Sequence, residues 1–221
     1  MAKLLPLTQR VLIDAEALQA CVRTLATRIR AEYRTSVPEE EIPLSVVIAM
    51  NGAFRLGADL VGQLDPNTWP DGAGPRFRTQ ISTVRSSSYR GTSAGPMTLL
   101  SDSPEQLRQL FEDRHVLLVD DILDTGRTLA ELRKLVLAYR PRSLRVCVLL
   151  EKEGRNETGV RADYVGFRVH RDLFVVGYGL DYDGLYRELN SIRAVGALPQ
   201  DGRPLVEGVL GALPTGDSHD R

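Results

Sequence analysis

The chain has 221 residues, 43% of them hydrophobic, and a formal net charge of −1 from 28 Lys and Arg against 29 Asp and Glu. That length suits one domain with a real core, and the composition excludes global disorder. The balanced charge excludes a net basic field that would hold nucleic acid non-specifically. Residues 1–6 have no apolar core long enough for a signal peptide. No run approaches the ~18 apolar residues of a membrane span. No nucleic-acid or membrane partner is therefore expected. Cys21 and Cys147 read as buried free thiols of a reducing cytoplasm. The histidines His115, His170 and His219 are scattered, without zinc spacing.

In chain order, Asp14 caps a helix with Leu18, Val22, Leu25 and Ile29 on one face. A loop with Pro38 and Pro43 follows, then a short buried strand over 46–49. Asn51-Gly52 ends it, and a helix runs through Leu56, Leu60 and Leu64. Residues 65–75 are a Pro- and Gly-bearing loop. A strand is predicted over 77–84. Residues 85–96 have no apolar face and form a long polar loop of the kind that serves as a lid. Residues 116–119 are the clearest strand in the chain. A helix over 127–139 and a strand over 144–150 follow, with further short strands at Val165 and over 174–176. Strands alternating with helices imply an α/β fold, a Rossmann-like open parallel sheet with helices on both faces. Residues 1–197 read as a single domain and 198–221 as a loose tail.

The chemistry concentrates in V-L-L-V-D-D-I-L-D-T-G-R-T, residues 116–128. A buried strand delivers Asp120 and Asp121 to the carboxyl edge of the sheet, where ligands bind in open α/β folds. A loop over 122–126 then feeds a helix N-terminus, whose unpaired N–H groups and positive dipole end suit a phosphate. Gly126 permits close backbone approach, Thr125 and Thr128 add hydroxyls, and Arg127 adds charge. The Walker A spacing is missing. Two adjacent carboxylates beside a phosphate make sense if they grip sugar hydroxyls and a magnesium ion that neutralises the site. The bland alternative is an acidic strand end that caps the next helix.

D-D-I-L-D-T-G-R-T resembles the phosphoribosyl-diphosphate signature of type I phosphoribosyltransferases. Leu149-Leu150-Glu151-Lys152, Ala162-Asp163-Tyr164-Val165-Gly166-Phe167, Phe174-Val175-Val176-Gly177-Tyr178-Gly179-Leu180-Asp181-Tyr182 and Tyr186-Arg187-Glu188-Leu189-Asn190 resemble the hypoxanthine-guanine branch of that family. The resemblance runs from about Val46 to Ile192. It implies a type I fold with a small hood over the carboxyl edge, and a purine salvage enzyme that makes IMP or GMP and pyrophosphate from phosphoribosyl diphosphate. It implies that Asp120 and Asp121 hold the ribose hydroxyls with Mg2+ nearby, and that Asp124 accepts the purine N7 proton. It implies that Thr125, Gly126, Arg127 and Thr128 hold the 5′-phosphate and that Lys152 donates to O6. Tyr164 would stack on the purine, the Val165 carbonyl would read its edge, and Asp172 would bind a second magnesium. Ser88 and Tyr89 match the family's closing loop, and Asn51 and Gly52 its first active-site loop. A homodimer or homotetramer is implied as well.

The sequence departs from the family twice. Its first loop reads Met50-Asn51-Gly52-Ala53 where the family has Leu-Lys-Gly-Gly, so Asn51 brings no charge to pyrophosphate. The stretch before Asp172 is one residue longer than usual. The alternative function is a phosphoribosyl-diphosphate-sensing regulator, because 161–166 also resembles a pyrimidine-operon attenuator. The neutral charge, the lack of a DNA-binding appendage and the presence of Asp124 weigh against it.

Overall fold

The Asp14 carboxylate accepts the Ala17 amide at 2.8 Å, so β1 (Leu7–Ile13) gives way to α1 (Ala15–Ser36) at the expected cap. The computed structural model describes residues 7–36, 41–65, 76–86, 97–99 and 103–208. The periodic face of α1 is fully buried, with Leu18, Val22, Leu25 and Ile29 all at 0% exposure.

β2 (Glu41–Met50) is longer than the short strand expected and includes Pro43. Pairing of β2 with its neighbour β5 starts only at Leu44, so Pro43 sits where the strand has a partner on one side alone. A residue without an N–H is tolerated there. α2 (Phe54–Leu64), β3 (Arg76–Ser86), β4 (Met97–Leu99), α3 (Pro104–Phe111), β5 (His115–Leu123), α4 (Arg127–Leu137), β6 (Ser143–Lys152), β7 (Tyr164–Val169), β8 (Phe174–Val176), β9 (Ile192–Val195) and β10 (Val206–Gly208) complete the chain. α3 is not among the expected elements, although Ser103 and Gln106 form a capping box and Pro104 opens its first turn.

The main sheet is seven-stranded, in the order β10-β7-β6-β5-β2-β3-β4, parallel except for its antiparallel edge strands β10 and β4. One face buries α1 and α2, through Leu18, Leu25, Leu56 and Leu60. The other buries α3 and α4, through Phe111, Leu129, Leu132 and Val136. This is the expected doubly covered parallel sheet.

A second sheet of order β1-β9-β8 forms the hood. Gly177, at φ 98°, and Gly179, at φ 104°, turn the chain after β8. An added Cβ at Gly179 would collide with the Gly52 carbonyl, so the hood meets the first loop by direct backbone contact.

The expectation of a loose tail from Leu198 is corrected in part. Leu198, Leu205 and Val206 pack against the core, and β10 pairs with β7 from Val206 opposite Val169 to Gly208 opposite Phe167. A three-residue strand with one apolar side chain, Val206, gives no strand period in sequence. Residues 209–221 lie outside the described residues.

Candidate active site

β2 and β5 stay paired only up to Ile48 opposite Val119. Beyond that point β2 turns away through Asn51 and Gly52, while β5 continues against β6 to Leu123 opposite Glu151. The chain winds outward in opposite directions from these two strands, so the gap between them is the topological switch point where open α/β sheets bind ligands. The acid pair therefore lies inside an extended strand, where a strand end at Val119 was expected. Asp120 and Asp121 line a cleft of about 860 Å³.

That cleft gathers most of the expected site. Asn51, Gly52, Asp120, Asp121, Asp124, Thr125, Gly126, Arg127, Thr128 and Lys152 all line it. Ser88 and Tyr89 lie outside the described residues.

Asp120 is 7% exposed, and its Oδ1 accepts the Asp121 amide at 2.9 Å. Asp121 Oδ1 accepts the Ile122 amide at 2.8 Å. Burial, and then the charge of Asp121, push the Asp120 carboxyl well above the ordinary aspartate value. Burial also raises Asp121, partly offset by hydrogen bonds and by the positive charge of Arg187. The Asp121 side chain lies so close to Gly52 that a Cβ there would overlap it. Glycine at 52 is thus a condition for the acid pair's position.

Asp124 is held by two cations. Arg155 Nε donates to Oδ1 at 2.9 Å, and Lys152 Nζ, whose side chain is only 12% exposed, approaches Oδ2 at 3.4 Å. Gly126, in the left-handed region at φ 81°, ends the loop and starts α4, with the Ala130 amide donating to its carbonyl at 2.9 Å. The β6–β7 loop braces this turn. The Glu157 amide donates to Thr125 O at 3.0 Å, and the Glu157 carboxylate pairs with Arg127 at 2.8 Å.

Three expected site residues stand elsewhere. Tyr164 starts β7 at the far end of the sheet, 4% exposed, and its hydroxyl donates to Glu32 on α1 at 2.5 Å. It is a core strut and does not face the cleft. Val165 follows it, paired with Val148 and packed in the core on the α4 side. Asp172 is exposed in the β7–β8 turn and does not line the cleft.

What sequence reasoning missed is the wall the hood supplies. Phe174, Val175, Leu180, Asp181, Tyr182 and Arg187 line the cleft. Phe174 is 47% exposed and meets Tyr182 edge-on, with ring centroids 5.5 Å apart. The half-exposed Phe174 ring gives this wall an apolar face beside the cleft's polar groups. Arg187 donates to Gly179 O at 2.7 Å and pairs with Asp181 at 2.7 Å. The signal was present in F-V-V-G-Y-G-L-D-Y, whose two glycines turn Asp181 and Tyr182 back over the site.

Among the described residues no group of three or more His, Cys, Asp or Glu could hold a metal by itself. The donors still fit magnesium, which is commonly held by one or two carboxylates together with substrate phosphates. Asp120 and Asp121 are buried carboxylates whose charge is opposed by burial, and a cation would favour it. Asp181 and Asp183 are the further carboxylates lining the cleft beside Asp124, and Asp172 is not among them.

The family model described as "Phosphoribosyl transferase domain" matches residues 12–183. A hypoxanthine-guanine phosphoribosyltransferase of Mycobacterium avium is 36% identical over 184 residues, 82% of this chain and 83% of that one. One from Aquifex aeolicus is 36% identical over 188 residues, 84% of this chain and 94% of that one. The solved hypoxanthine phosphoribosyltransferase of Trypanosoma cruzi, in complex with the product IMP, superposes with a TM-score of 0.71 at 32% identity, covering 88% of this chain and 97% of that one.

Proposed function

The chain belongs to the phosphoribosyl transferase domain family, and we propose that it transfers the 5-phosphoribosyl group of 5-phosphoribosyl 1-diphosphate to hypoxanthine or guanine. The products are IMP or GMP and pyrophosphate. One observation carries the reading: a single cleft joins the acid pair, the phosphate loop, Lys152 and an aromatic wall.

The Thr125–Thr128 turn offers N–H groups, hydroxyls and the α4 dipole to the 5′-phosphate. Asp120 and Asp121 take the ribose hydroxyls. Phe174 supplies a flat apolar face for the purine, and Lys152, which has only donors, selects an O6 acceptor. As N9 forms its bond to C1′, the C1′–oxygen bond to pyrophosphate breaks, and the N7 proton passes to Asp124. Lys152 and Arg155 fix that carboxylate's orientation beforehand. Asp120 and Asp121 are the residues that would hold magnesium, which supplies charge neutralisation of the diphosphate when bound.

We place the enzyme in the cytoplasm. Two free buried cysteines support this, and among the described residues no helix is long and apolar enough to cross a membrane. The family resemblance supports a homodimer or homotetramer, which light scattering reads directly. The regulator alternative is not favoured, because the cleft carries a proton acceptor and a base wall as well as a phosphate site.

The test is a base panel of adenine, hypoxanthine, guanine, xanthine and uracil, with phosphoribosyl diphosphate and magnesium. Turnover of hypoxanthine or guanine that stops with chelator is expected. Adenine or uracil as the best acceptor would overturn the assignment.

A further inference from the structure

We propose that residues 198–208 form a strap that fixes the base-facing wall of the cleft, with Asp201 acting through His170 as a positioning residue for Phe174. The inference rests on the functional reading above only in taking Phe174 as the purine's contact.

The geometry runs through one buried imidazole. His170, 1% exposed, follows the last residue of β7 and opens the turn that leads to Phe174. Its Nδ1 accepts the Asp172 amide at 3.2 Å, and its carbonyl accepts the Leu173 amide at 3.1 Å. A backbone N–H can only donate, so Nδ1 is bare and Nε2 carries the proton. That Nε2–H donates to Asp201 Oδ2 at 2.9 Å. The tautomer that closes the turn is thus the one the strap selects.

Asp201 is itself fixed. Its Oδ1 accepts the Arg203 amide at 3.1 Å, and the Arg203 guanidinium lies 3.6 Å from Oδ2. The His170 amide donates to Leu205 O at 3.0 Å, and β10 then pairs with β7. Burial of Leu198 and Leu205 against the core anchors both ends of the strap. On its other side Phe174 is held by pairing with Val195 in β9. The backbone at Phe174 is thus held by the hood, and the turn that leads to it by the strap through His170, where the one side-chain hydrogen bond comes from Asp201, whose side chain is 44% exposed.

An apolar face that must be ordered on binding has lower affinity for a flat ligand than one held rigid beforehand. Loss of the strap's hold should therefore raise KM for the base and spare phosphoribosyl diphosphate, which binds at the other end of the cleft.

Asp201→Ala and Asp201→Asn test this in the full chain, with hydrogen exchange over 168–176, KM for each substrate, and thermal melts. Asp201→Ala should speed exchange of the Asp172 and Leu173 amides and raise KM for hypoxanthine about 3–10-fold, the size of one lost hydrogen bond. KM for phosphoribosyl diphosphate should hold. Asp201→Asn keeps a carbonyl oxygen for Nε2–H and should recover most of the loss. Unchanged exchange, an unchanged base KM, or both KM values rising with a general fall in Tm overturns the proposal. Absence of purine turnover by the wild type would sink the functional reading instead, and the exchange measurement shows the two failures apart.

Discussion

At the scale of single residues, Asp124 and Phe174 carry opposite halves of the chemistry. Asp124→Asn keeps the loop's shape but removes a proton acceptor, so kcat should fall by about 10²–10⁴-fold. Phosphoribosyl diphosphate affinity, measured by calorimetry, should stay near wild type, because the Thr125–Thr128 turn is untouched. Near-normal turnover would make Asp124 a mere loop cap. Phe174→Ala removes the stacking face, worth about 1–3 kcal/mol per base in comparable contacts. KM for hypoxanthine should rise on the order of tenfold, while Tyr164→Leu, which also removes an aromatic face, should leave it unchanged. A base effect at Tyr164 and none at Phe174 would restore the assignment that the structure rejects. Gly52→Ala places a methyl group where the Asp121 carboxylate lies. Activity should collapse through lost sugar-diphosphate binding, with the melting curve showing the fold intact.

The reason sequence put the stacking role on Tyr164 is itself a residue-scale lesson. An aromatic at a strand start looks the same in sequence whether it points into a cleft or into a helix. Burial settles it here, because the Glu32 carboxylate on α1 waits for the hydroxyl. Asp124 and the phosphate turn were legible because loop, glycine and hydroxyls fall within five consecutive residues, and local chemistry needs no tertiary partner. Phe174 and Arg187 are separated from that turn by some fifty residues of chain, and no local pattern says where the hood will fold.

At the scale of elements, the α1–β6–β7 seam is held by charge as well as packing. Arg145 Nε meets Glu32 at 2.7 Å and Asp163 at 3.6 Å, and Tyr164 donates to the same glutamate. Burial raises the Glu32 carboxyl, but the Tyr164 and Arg145 hydrogen bonds outweigh that and leave it below the usual value. A depressed carboxylate contributes stability that is present above the unfolded value of about 4.3 and is lost as pH falls through the folded one. Melts taken downward in pH should show Tm dropping through and below that region. Glu32→Gln should lower Tm at neutral pH and flatten the acid limb. An acid limb identical to wild type would show that the seam is held by packing alone.

At the scale of the whole molecule, the cleft sits where β2 and β5 part and the hood meets the first loop, so a ligand there ties both sheets together. Binding to the folded state alone stabilises by about 2.7 kcal/mol at ~100 times Kd. For a chain of this size that is a rise in Tm of about 5–10 °C. Phosphoribosyl diphosphate with magnesium should produce it, and the same ligand with excess chelator should give much less. Equal shifts in both conditions would remove the cation from the binding step.

Local pattern by itself determined the α/β alternation, the amphipathic α1, the phosphate turn after the acid pair and the membership that these imply. Those features depend on neighbours a few residues apart, and periodicity and turn chemistry report them directly. Tertiary structure alone decided which aromatic faces the cleft, that Asp181 and not Asp172 stands in it, and that residues 198–208 are a docked strap. Each of these turns on a contact between segments distant in sequence: Phe174 against Tyr182, Asp181 against Arg187, Asp201 against His170. Such contacts are set by how sheets and hood bury their apolar faces against one another, and that burial is a property of the assembled chain rather than of any stretch of it.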